Sequence, residues 1–481
     1  MKVVLILFLA IAFGDAEHRG RAYQRDKVCQ EFNMMGREKF SGLAIIMNSI
    51  KYSNATWEEV MNIVREIVSL AETCCAKEAD PDCYDKGATI LSTKSCDPNS
   101  PFPKHSGIPA CCVHTGLERK LCLADLKQPL KEFPTYVEPS NDELCTSFLK
   151  DPMEFTTKFL YEYSSNYAYA PLLQIINSTE SYLKMITTCC TSKKPNRCFT
   201  EQRIQRKSVE QLTIIANKLC SQYAHYGNEK FKFRTMIMFG QKVPAAEFED
   251  ILPLAEQCVQ MLPKCNSIME DMQSEISAYT LEVCNKLSSK SERVATCCKK
   301  TLGETLMCLY SMPPAEPLSL SPPQSPKSKV LCDKVKHPEA NNKYSYEIAR
   351  RNTKLPEVFV DRLHEAAVQV VNECCAAADS NTCLENKRPQ LRAEIFKFLA
   401  EANALCEDYN NYTFTDFKKR LRQKFRKRTP TATSTEISEL VEKQADLAST
   451  CCIINAPPVY CNEKIKSAIP LMCGQETCLI H

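Results

Sequence analysis

The stretch AETCCAKEADPDC, residues 71–83, decides how this chain folds. Two adjacent cysteines, Cys74 and Cys75, are followed by a third, Cys83. Neighbours on a helix point about 100° apart and cannot readily bond each other, so each sulfur must reach in its own direction. The doublet recurs at Cys111-Cys112, Cys189-Cys190, Cys297-Cys298, Cys374-Cys375 and Cys451-Cys452, with single cysteines before and after each. The economical pairing joins the second member to the preceding single cysteine and the first member to the following one. It gives Cys29–Cys75 and Cys74–Cys83, Cys96–Cys112 and Cys111–Cys122, Cys145–Cys190 and Cys189–Cys198. It continues with Cys284–Cys298 and Cys297–Cys308, Cys332–Cys375 and Cys374–Cys383, Cys406–Cys452 and Cys451–Cys461. One helix is thereby stapled to two others. With 29 cysteines the count is odd, so the chain suits an oxidising compartment and one thiol is left over or shared between chains.

The spacing repeats. Cys111 to Cys297 is 186 residues, Cys189 to Cys374 is 185, Cys74 to Cys265 is 191 and Cys265 to Cys451 is 186. Three homologous units follow, the third ending soon after its first doublet. The expected boundaries are 17–208, 209–394 and a truncated 395–481. One doublet is broken: Asn266 stands beside Cys265, no third cysteine follows at the usual distance, and Cys258 appears instead. Seven residues span about 10 Å of helix, too far for Cys258 and Cys265 to bond each other. Cys220–Cys265 with Cys258 free is favoured, Cys220–Cys258 stays open beside it, and Cys473 with Cys478 suits a small terminal loop. Closing the Cys29–Cys75 loop stabilises by about 4 kcal/mol in the chain-entropy model, and the short Cys74–Cys83 loop by nearer 3.

Between cysteines the pattern is helical. Val60, Ile63, Val64, Ile67, Val68 and Ala71 keep a 3.6-residue period, with Thr56 and Glu59 as a capping box in front. Ser140 with Glu143, and Ser208 with Gln211, mark two further helix starts. Sustained alternation is missing and glycines number 11 in 481 residues, so the expected fold class is all-α and multi-helical. Pro313 to Pro326 carries six prolines and reads as an extended connector.

The function classes narrow in step. No two glycines lie within five residues of each other, which excludes GxGxxG, GxSxG and a P-loop. His364-Glu365 begins like a zincin helix, but Val368 occupies the place of the second histidine. Doublets lack the CxxC geometry that wraps zinc. Neither an enzyme, a metal nor a cofactor is expected. Lys plus Arg (61) nearly cancels Asp plus Glu (58), so nothing steers the chain toward nucleic acid. Lys2, the apolar run Val3 to Phe13 and the small residues Gly14 to Ala16 read as a signal peptide cut after Ala16. No later run is long enough to span a membrane, so the expectation is a secreted, extracellular protein.

The ordered doublets resemble the serum albumin family over the whole mature chain. The runs ADPDCYD (79–85), NSPFP (99–103), GLERKLC (116–122), EFPTYVEPSNDELC (132–145), LPEVF (355–359) and FTDFKKRL (414–421) resemble its vitamin D-binding branch, as does the short third unit. The resemblance implies a monomeric plasma carrier of three all-α domains. It implies a groove for vitamin D sterols in the first domain, capture of monomeric actin by the whole molecule, and uptake receptors as further partners. A broader carrier of fatty acids and small hydrophobic ligands is the alternative.

The implied groove maps onto Val28, Phe40, Leu43, Met47, Tyr84 and Leu91 as its apolar wall. Ser92 and Ser95 fall on its hydroxyl-binding side, and Leu123 where a backbone contact is made. From the residues alone, Phe40, Leu43 and Met47 at i, i+3 and i+7 are one helix face whose default is core packing, and the serines are ordinary cap or loop hydroxyls. The family usually presents a tyrosine at position 48, and this chain has Asn48. Tyr52, Asn48 or a bridging water is expected in that role, Tyr52 if its helix continues; weaker binding or a shift to other sterols is the competing outcome.

Two signals remain. Lys418 to Arg428 holds eight basic residues in eleven, a solvated face or a contact for acidic surfaces such as actin or heparin-like polymers. Asn54, Asn177 and Asn411 begin glycosylation sequons.

Overall fold

The computed structural model describes residues 23–126, 135–266, 272–333, 337–453 and 456–473. The signal segment and Cys478 lie outside the described residues, as does the side chain of Cys473. Among the described residues there are helices and connectors and no strand. By its packing the chain divides into two units. The first is the chain up to His225 with Met261–Ile276 and Thr301–Met307, and the second is Tyr226–Gln260, Ser277–Lys300 and the chain from Cys308 on.

The first unit opens with α1 (Tyr23–Lys51) and α2 (Trp57–Cys74). In α1, Gly36 sits at φ 76°, a left-handed conformation suited to glycine, and breaks the helix into two arms. In α2 the Thr56–Glu59 capping box is formed in both directions, and Val60, Ile63, Val64, Ile67, Val68 and Ala71 are all buried. Next come α3 (Cys83–Ser95), α4 (Ile108–Cys111), α5 (Gly116–Asp125), α6 (Asn141–Lys150), α7 (Pro152–Asn166) and α8 (Leu172–Cys190). A second capping box, Ser140 with Glu143, starts α6. Asp151 caps α7, whose first residue is the proline favoured there. The last helix, α9 (Pro195–Lys242), runs on past His225 and is broken by Gly227 at φ 71°. Ser208 is therefore inside a helix rather than at a start: Pro195 has already nucleated it upstream, and elongation through Ser208 and Gln211 needs no cap.

Further along are α10 (Phe248–Met261), α11 (Gln273–Leu287), α12 (Glu292–Cys297), α13 (Leu302–Ser311), α14 (Ser328–Leu331) and α15 (His337–Arg351). Then follow α16 (Glu357–Cys375), α17 (Ser380–Asn411), α18 (Phe414–Arg428), α19 (Ser434–Cys451) and α20 (Pro458–Cys473). Residues 312–327, which hold the proline-rich segment, form no regular structure but are fastened down. The Ala315 N–H donates to the Gln241 carbonyl at 2.9 Å, and Arg351 Nε donates to the Ser321 carbonyl at 2.8 Å. Residues 208 and 394, where repeats were expected to meet, both fall within helices, α9 and α17.

Thirteen disulfides join the described cysteines, and in the intact doublets the second member bonds backward and the first forward. At the broken doublet Cys220 bonds Cys265, and Cys258 is a buried free thiol. Residues Leu262–Asn266 there wind as a 3-10 helix. Cys258 lies beside Tyr279 and Tyr310, and burial pushes its thiol up to about 12. His364 is stacked on Phe233 at 4.1 Å, with Nδ1 2.9 Å from Ser345 Oγ.

Candidate functional site

The second arm of α1 carries the expected groove wall. Phe40 is fully buried, Leu43 nearly so and Met47 half-buried, so the i, i+3, i+7 face points inward. Phe32, on the first arm, meets Phe40 edge to face at 5.0 Å. Val28 lies beside the Cys29–Cys75 staple and is fully buried.

Helix α3 carries the expected residues Tyr84, Leu91, Ser92 and Ser95. Its first residue is tied to α2 by Cys74–Cys83, and the residue after its end is tied on by Cys96–Cys112. Gly87 lets it approach α2: a Cβ there would collide with Leu70 Cδ1. Tyr84 and Leu91 of α3 join the same apolar cluster as Val28, Phe40, Leu43, Met47 and Tyr52. Leu123 does not; it belongs to a separate small cluster with Ile108 and Cys111.

The polar groups are turned onto their own helices. Asn48 Nδ2 donates to the Ala44 carbonyl at 2.8 Å, Ser92 Oγ to Thr89 at 2.7 Å and Ser95 Oγ to Leu91 at 3.1 Å. With their protons so placed the serine oxygens offer lone pairs only, whereas the Asn48 amide keeps a second N–H beside its Oδ1. Asn48 and Ser92 are buried, Ser95 half-buried. The helix stops at Lys51, so Tyr52 does not extend the face by another turn. It closes the last turn through its N–H, 2.8 Å from the Asn48 carbonyl, and its ring is buried.

Burial dominates the electrostatics. It pushes the Tyr52 phenol up to about 12, and it raises Tyr84 further with help from the Glu31 carboxylate. It lowers the Lys51 ammonium to about 8, against the Asp125 carboxylate, which works the other way. Lys51 Nζ stands 5.6 Å from the Tyr52 ring.

Several polar residues of this region escaped the sequence. Glu31 is fully buried one turn beyond Val28, and a charge at i+3 on an apolar face was the available signal. Ser49 is also fully buried, its hydroxyl without a hydrogen-bond partner among the described residues. Lys120 is buried in an ion pair with Asp85 of α3. A small apolar depression lined by Pro171, Leu173, Leu212, Ala216 and Ile276 shares no residue with this set. The sequon residues Asn54, Asn177 and Asn411 are all exposed.

Comparison with known proteins places these features in a family. Residues 27–199 and 218–384 match the profile of the serum albumin family, and residues 404–468 match that of vitamin D binding protein, domain III. The vitamin D-binding protein of Bos taurus is 46% identical over 475 residues, covering 98% of this chain and 99% of that one. That of Homo sapiens is 46% identical over 472 residues, with the same shares. Albumin of Mesocricetus auratus is 25% identical over 502 residues, covering 100% of this chain and 80% of its own. A staple plan, an all-helical fold and these matches converge: the chain belongs to the serum albumin family.

Proposed function

We propose that the protein is a secreted carrier that binds vitamin D sterols of the 25-hydroxyvitamin D type in a groove of its first domain and sequesters monomeric actin. The observation that carries the reading is the 46% identity, end to end, with relatives named for vitamin D binding. The chemistry of the first domain is compatible with it. A seco-steroid is a long apolar body with a hydroxyl at each end, and its site needs apolar walls with a few fixed polar groups. Phe40, Leu43, Met47, Tyr84 and Leu91 supply the first, and Asn48, Ser92 and Ser95 the second. Since the serine protons are already committed, the ligand hydroxyls donate to the serine oxygens, while Asn48 keeps one amide N–H and its Oδ1 for either role.

The test is a titration of 25-hydroxyvitamin D against the natural chain and against Asn48→Tyr and Tyr52→Phe, with a long-chain fatty acid and monomeric actin as separate ligands. Saturable 1:1 sterol binding that changes in at least one variant supports the groove. Unchanged affinity in both removes the roles of Asn48 and Tyr52. Several fatty-acid sites with no preference for the sterol would favour a broad albumin-like carrier instead. Actin capture is expected to survive a filled groove and to fail when the third domain is removed.

A further inference from the structure

Helix α18 divides its cations into two sets. Phe417, Leu421 and Phe425 are its buried face, and no acidic residue occurs from Phe417 to Arg428. The cations on the flanks of that face are held by carboxylates of neighbouring helices. Lys418 pairs with Glu442, Arg420 with Asp408 at 3.0 Å, and Lys424 with Glu401 at 2.6 Å, Glu401 also taking Arg428. On the opposite, outward face Arg422, Arg426 and Lys427 are exposed and form no ion pair among the described residues. Lys419 has only the solvated i,i+3 pair with Asp416, at 3.1 Å with both side chains more than half exposed. Such a pair is worth about 0–1 kcal/mol and leaves the lysine available.

We propose that this outward face, Lys419, Arg422, Arg426 and Lys427, is a binding strip for a linear sulfated polysaccharide. The four cations lie along about 12 Å of one helix with no acidic residue between them, so they repel one another and gain from a partner that carries anions in a row. Complementing the helix dipole accounts for Arg426 and Lys427 in the last turn but not for Lys419 and Arg422 further back. A lipid surface fits poorly, because the apolar stripe an interfacial helix would insert is already packed in the protein. The disulfide framework points to an oxidising compartment, where sulfated polysaccharides rather than nucleic acids are the linear polyanions at hand.

The experiment measures heparin binding by the full chain across a sodium chloride series, independently of any sterol. The natural chain is expected to bind at 150 mM salt, with affinity falling as salt rises. The variant Arg422→Ser/Arg426→Ser/Lys427→Ser, checked for unchanged helical content, is expected to bind about tenfold or more weakly with a shallower salt dependence. A charge-matched control, Lys150→Ser/Lys193→Ser/Lys194→Ser, is expected to bind as the natural chain does. No binding at 150 mM salt, equal loss in the control, or equal affinity for a DNA duplex of matched charge would each overturn the proposal.

Discussion

At the end of α2 the first repeat carries Cys74 and Cys75, while at the matching place in the middle repeat stand Cys265 and Asn266. In the first repeat two staples leave this point, one backward to Cys29 and one forward to Cys83. In the middle repeat one remains: Cys220 is bonded to the first member of the former doublet, and the local winding tightens to 3-10. Where the forward staple would run, Lys264 forms an ion pair with Glu275, whose carboxyl the lysine holds below its ordinary range. A part-exposed ion pair contributes about 0–1 kcal/mol where a short-loop disulfide contributes about 3. The long backward staple is thus the part of the plan both repeats retain, and the forward staple is the part that can be exchanged for charge.

The largest effects test the retained half. Removing the long staple by Cys29→Ala with Cys75→Ala, or by Cys220→Ala with Cys265→Ala, should cost about 4 kcal/mol each in denaturant unfolding, since the loops span 46 and 45 residues. A gap of several kcal/mol between the two would break the equivalence. Next, Cys74→Ala with Cys83→Ala should cost about 3 kcal/mol, whereas Lys264→Ala with Glu275→Ala should cost under about 1. Equal costs would show the ion pair to be a full substitute.

The free thiol sharpens the contrast. Cys258→Ala should cost about 1–2 kcal/mol by leaving a void at a fully buried position. Its thiol, raised from an unfolded value of about 8.5, stabilises the fold fully below that pH, and the contribution is lost as pH climbs toward 12. A thiol reagent should find Cys258 only after unfolding, and rapid labelling of the native chain would contradict its burial.

In the first repeat, Lys51→Met should stabilise by about 1 kcal/mol at neutral pH by removing a desolvated ammonium. Because the folded pKa, about 8, lies below the unfolded value, the natural chain gains stability between about pH 8 and 10.5, and the advantage of the variant should vanish there. The smallest energetic effect belongs to Asn266→Cys. Little change in stability is expected, but peptide mapping should find Cys220 moved to position 266 and Cys265 released.

What the sequence made legible was local or periodic. Adjacent cysteines diverge by helix geometry alone, so each intact doublet could be read without neighbours. The Thr56–Glu59 and Ser140–Glu143 boxes are complete within four residues, and both form. The same signal at Ser208 misled, because whether a helix has already begun upstream is not written in those four residues. The inward face of α1 was legible as Phe40, Leu43 and Met47; the return of Asn48 to Ala44 and the end of the helix before Tyr52 were not, since side-chain and terminal geometry depend on packing. The basic run read as uniform charge. Its sorting into held and unheld cations depends on Glu401, Asp408 and Glu442, which lie 12 to 27 residues away along the chain.

The proline-rich connector between α13 and α14 carries one more consequence. An extended, exposed backbone is what a protease subsite grips, yet this one is tethered at Ala315 and Ser321 and interrupted by prolines that lack the N–H such subsites engage. The longest segment without regular structure among the described residues is thereby hard to nick.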